Sequence, residues 1–107
     1  MYHPLIAQDK WNALSTVEQM ANIGSEVSRA INWKNRDEES MRFAVYRAIE
    51  LLTLTAKDTK NTNGLKEILR VKECLGDYFL GGNSYKFTDA WWQKYFLEFA
   101  LGARRMK

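Results

Sequence analysis

T-D-A-W-W-Q-K-Y-F-L-E-F-A-L-G-A-R-R, Thr88 to Arg105, is the stretch whose reading decides the fold. Set out at about 100° per residue, it gathers Trp91, Trp92, Tyr95, Phe96, Phe99 and Ala103 on one half of a helical wheel, with Gly102 at the edge. Thr88 or Asp89 suits the start, where a side-chain oxygen accepts orphan backbone N–H groups, and Arg104 and Arg105 suit the negative end of the helix dipole. Each large side chain buried on this face contributes roughly 1.5–3 kcal/mol, so this helix is expected to anchor the core. A second, thinner stripe of Ala90, Leu97 and Leu101 lies behind the aromatic one. A helix with one apolar face rests on a core; a helix with two touches something else as well.

Before this helix, Gly81-Gly82-Asn83-Ser84 ends a third helix that spans about Leu65 to Leu80. Its expected inner face is Leu65, Ile68, Leu69, Val71, Leu75 and Phe79, with Lys66, Arg70, Glu73 and Asp77 outside and Arg70 three residues from Glu73, within pairing reach. Lys57 to Asn63 is wholly polar and reads as a loop closed by Gly64. A second helix covers about Glu38 to Ala56, capped by Asp37, with Met41, Ala44, Val45, Ala48, Leu51, Leu52 and Thr55 as its core stripe. Its rear is mixed: Phe43, Arg47, Glu50 and Leu54 fall together. The first helix starts at the capping box Ser15-Thr16-Val17-Glu18 and runs to about Trp33, with Val17, Met20, Ala21, Gly24, Val27, Ser28 and Ile31 on one face. Residues 1–14 carry the single proline, Pro4, and no sustained period; they read as an irregular arm pinned by Tyr2, Leu5, Ile6, Trp11 and Leu14. Four helices with short connections predict an all-α, four-helix up-and-down bundle, one domain over 1–107 with the arm at 1–14.

Composition bounds the function. The chain has 107 residues, a hydrophobic fraction of 46% and a net charge of +3, which suits one folded core and argues against disorder. The positive charges are interspersed, and only the C-terminal R-R-M-K clusters them, so a nucleic-acid footprint is weakly marked. Cys74 is the single cysteine and excludes an internal disulfide framework. With no signal-like segment and no apolar run of spanning length, the expected location is the cytoplasm, without a membrane partner.

Chemistry is sparse. The one histidine, His3, lies in the arm, and no Glu-x-x-His pair or thiolate cluster marks a metal site, so neither metal nor cofactor is expected. Asp37-Glu38-Glu39 and Glu73 with Asp77 loosely match the acidic pairs with which helical nucleotide pyrophosphatases hold Mg²⁺; capping charge and a solvated ladder are the competing reading. Lys72 falls inside the apolar arc of the third helix. Either its stem packs while the ammonium reaches water, or it serves an interfacial ion pair or an anion site. Arg47 and Glu50, three apart, form an intrahelical pair or pair across a subunit axis.

The segments Gln19 to Val27, Arg47 to Thr55, Gly64 to Tyr85 and Trp91 to Arg105 resemble a family of small uncharacterised prokaryotic helical proteins. More distantly, size and helix pattern are similar to the HEPN superfamily. That resemblance implies dimerisation, a minimal nucleotidyltransferase as protein partner, or ribonuclease activity. The ribonuclease members use Arg followed roughly four to six residues later by His, and no arginine here has such a partner. The expectation is therefore a non-catalytic interaction module, self-associating through Phe43, Arg47, Glu50, Leu54, Leu97 and Leu101 and binding a protein or nucleotide-bearing partner. The alternative is a HEPN-type or pyrophosphatase-type enzyme acting on RNA or nucleotides through Arg47, Glu50, Glu73 and Asp77. A competing account of the extra stripes lets the arm cover one of them within the same chain.

Overall fold

A computed structural model describes residues 6–105 of the chain. The arm's Tyr2, His3 and Leu5 lie outside that range. The fold is an all-α bundle of four substantial helices: α2 (Thr16–Trp33), α3 (Glu38–Lys57), α4 (Leu65–Leu80) and α5 (Asp89–Arg105). Two short elements supplement them. Part of the arm is helical, α1 (Gln8–Asn12), and the polar loop is a 3-10 turn, Thr59–Gly64.

The caps follow from local chemistry. Ser15 and Glu18 close the capping box on α2, Asp37 accepts from the backbone N–H of Glu39 and Ser40, and Thr88 accepts from Trp91 N–H at 3.1 Å. At the end of α4 the left-handed residue is Asn83 (φ 53°) rather than a glycine. Asparagine tolerates that region because its side chain bonds locally; here it accepts from Phe87 N–H and donates to Phe87 C=O, both at 3.0 Å. Gly81 is needed for space instead, since an added Cβ would stand 3.0 Å from Asp77 Oδ1.

Helix α2 is the middle of the bundle, packed against α3 on one side and α5 on the other, with α4 beyond α3. Gly24 lets α5 close in: a Cβ there would lie 2.8 Å from Phe96 Cβ. Trp92 and Phe96 fill the interior from α5, and the expected stripe of α3 is buried throughout. Two expected faces are rotated. In α2 the buried set includes Gln19, Ile23 and Ala30, while Ser28 is exposed. In α4, Cys74 and Tyr78 go inside, and Leu65 and Leu69 stay outside.

Helices α4 and α5 are joined by side chains more than by backbone proximity. Tyr95 of α5 donates to Glu67 of α4 (2.6 Å), and Tyr85, in the connection between the two helices, donates to Glu73 of α4 (2.7 Å). Burial, then the Glu67 carboxylate, hold the Tyr95 hydroxyl above its ordinary pKa. Lys34, Tyr78 and Asp89 meet where α2 and α4 end and α5 begins, with Lys34 Nζ 2.9 Å from Tyr78 Oη and 3.0 Å from Asp89 Oδ1. Burial opposes the charge on Asp89, but the bonds from Tyr78 and Lys34 outweigh it and leave its pKa lowered.

The polar loop is the largest departure from expectation. Asp58 and Asn61 are buried and join the fully buried Gln19 and Thr55. Gln19 Nε2 donates to Asp58 Oδ2 (2.9 Å) and to Trp11 C=O (3.0 Å), and Asn61 Nδ2 donates to Gln19 Oε1 and Thr55 C=O (2.9 Å each). Lys60 caps the Asp58 carboxylate, and Trp11 Nε1 donates to Thr55 Oγ1 at 3.0 Å. A buried polar group without a partner is costly; this network gives each of these groups one and straps α1 over the end of α3.

Candidate interaction face

Among the described residues no group of three or more His, Cys, Asp or Glu side chains is placed to hold a metal ion. The carboxylates that a nucleotide-processing reading draws on are engaged structurally. Glu73 receives the Tyr85 hydroxyl, and Asp77 receives the Ser84 backbone N–H at 2.6 Å and its hydroxyl at 3.3 Å, closing the turn after α4. Asp37 is the cap of α3, and Glu38 pairs with Arg42 at 2.9 Å. Cys74 is a buried thiol whose pKa burial raises, the direction of an unreactive side chain.

The extra stripes of α3 and α5 do not converge on one surface. Because α2 lies between those helices, Phe43 and Arg47 border one groove beside α2 and Leu97 borders another on its opposite side. The α2/α3 groove has a volume of about 530 Å³ and is lined by Glu26, Arg29, Trp33, Glu39, Ser40, Phe43, Ala44 and Arg47. Trp33 is 38% and Phe43 39% exposed. Between them Glu26, its side chain mostly buried, accepts from Arg29 at 2.9 Å, and its Oε2 lies 3.9 Å from Arg47 Nε. Arg36 covers the Trp33 ring at 5.3 Å. The α2/α5 groove, about 380 Å³, is walled by small residues of α2 (Ala21, Gly24, Ser25, Ser28) and by Lys94, Leu97 and Ala100 of α5 over Phe96.

The remaining expected residues distribute as follows. Leu54 is not on the exposed stripe: it is 9% exposed, part of the core, and Gln8 Nε2 donates to its carbonyl at 2.9 Å. The strap α1 thus lies over one end of α3 through Gln8 and Trp11; of the residues the intrachain account names, Leu5 lies outside the described residues and Ile6 is exposed. Glu50 and Leu101 are half-buried. The ion partner near Arg47 is Glu26 of α2. Lys72 is half-buried on α4, and its ammonium has no ion-pair partner among the described residues, which suits a packed stem with its charged end in water. No local pattern marks Glu26, Arg29 and Trp33 as groove residues, because an α2 wheel alone shows them as ordinary outer positions.

Among the described residues no helix is long and apolar enough to cross a membrane. Comparisons with models of known protein families, with curated proteins and with solved structures find no match for this chain.

Proposed function

We propose that this protein is a non-catalytic helical interaction module that self-associates and grips a protein or nucleotide-bearing partner in the α2/α3 groove. The observation that carries this reading is the pairing of two half-open aromatic rings, Trp33 and Phe43, with two guanidinium groups steadied by Glu26. Tryptophan and arginine dominate binding energy at protein interfaces, and an arginine already held by a carboxylate loses less freedom on binding. Arg29 keeps much of its surface in water and still has donors for a carboxylate or phosphate of the partner.

Two measurements test it. A photo-crosslinking side chain placed at Phe43 in the producing cell should capture a defined adduct that the same group at the exposed Lys66 does not. Equal capture at both positions would refute the groove. Incubation with RNA and with nucleoside triphosphates, with and without Mg²⁺, should give no turnover. Turnover abolished by Glu73→Ala would instead establish the HEPN-type or pyrophosphatase-type reading.

A further inference from the structure

We infer that the α2/α5 groove is where a second copy of this chain docks, each copy inserting Leu97 into the groove of the other, so that the α2/α3 groove stays open for the partner. This rests on the self-association part of the reading above and gives it a location.

Three observations point to a second copy. First, the projecting side chain and the recess adjoin on one surface. Leu97 is 51% exposed, among the most exposed of the large apolar side chains, and it borders a recess left by Ala21, Ser25 and Ser28. A twofold contact needs the same patch to supply both parts, because each residue that one copy offers is received by the equivalent surface of the other. Second, the floor is apolar and firm: Phe96 is buried and locked against Gly24, so an inserted leucine meets a packed surface. Third, the charges beside Leu97 complement themselves. Lys94 and Glu98 are one turn apart on α5, exposed, and without an ion-pair partner among the described residues. Lysine placed N-terminal to glutamate is the weaker order for an intrahelical pair. An antiparallel meeting of two α5 helices sets Lys94 of each copy against Glu98 of the other.

The test is the solution mass of the full chain by sedimentation across a micromolar concentration series. The wild type should be dimeric at tens of micromolar. Leu97→Glu should raise the dissociation constant about a hundredfold or more, since two leucines, one per copy, leave an apolar contact. If Leu97→Glu misfolds, Ser25→Glu, at an exposed position in the recess, supplies the same test. Lys94→Glu and Glu98→Lys should each weaken the dimer severalfold, and the double exchange should restore it, a rescue that simple loss of apolar contact cannot produce. Phe43→Glu should leave the dimer intact. A wild type that remains monomeric overturns the inference, as does a dimer that survives Leu97→Glu and Ser25→Glu, or one that dissociates on Phe43→Glu. None of these results decides the crosslinking at Phe43, so the two claims fail separately.

Discussion

Replacing Gly24 by alanine sets two effects of known sign against each other. Alanine in a helix interior is favoured over glycine by about 1 kcal/mol. Against this, the new Cβ would stand 2.8 Å from Phe96 Cβ, 3.1 Å from its Cγ and 3.2 Å from its Cδ1. The closest of these atoms is the first carbon out from the α5 backbone, so no side-chain rotation removes it; α5 itself must move away from α2. That movement loosens the packing of Trp92 and Phe96, which are buried from the same helix. Overpacking of this kind costs about 1–3 kcal/mol, so the net expectation is a loss of about 1 kcal/mol. Gly76→Ala is the internal control: its Cβ would meet nothing closer than Ile49 Cδ1 at 3.9 Å, and the helix preference should then appear as a gain of up to about 1 kcal/mol. Equilibrium urea denaturation followed by far-ultraviolet circular dichroism reads both. A Gly24→Ala variant as stable as the wild type or more so would refute the argument that backbone proximity decides this site.

Two further outcomes are expected. The Asp58 carboxyl sits below its ordinary pKa: burial opposes ionisation, but hydrogen bonds from Lys60 and Gln19 outweigh it. A lowered folded-state value means stability that is present above the unfolded carboxylate pKa and lost as pH falls through the folded one; Lys60→Met should therefore lower stability at neutral pH and move acid unfolding to higher pH, as a pH series of thermal melts would show. Ser15→Ala removes the hydroxyl that accepts Glu18 N–H at 3.1 Å and should cost about 1 kcal/mol in the same denaturation assay.

The pattern of α3 was legible because its stripe faces one core along its length. The pattern of α2 was not, because that helix is enclosed from two sides and its polar Gln19 occupies an interior position. Gln19 is drawn in by Asp58 and Asn61, which lie about forty residues further along the chain, and no local period carries that information. For the same reason Lys57 to Asn63 read as solvated: its composition is that of a loop, and only the tertiary network makes Asp58 and Asn61 interior. Phe43, Arg47 and Leu97 were visible as surplus apolar or mixed positions. That they flank one helix, and that Leu54 is taken by the strap, depends on packing order.

Packing order also bears on how the chain is made. The face of α2 that receives Trp92 and Phe96 is filled by a helix synthesised after both α3 and α4. At a ribosomal rate of about 5–20 residues per second, the interval between α4 and the end of α5 is on the order of seconds. Until α5 emerges, the face of α2 against which it packs has no cover from that helix. The aromatic weight of α5 then acts as a closing step, committing the bundle once that helix docks.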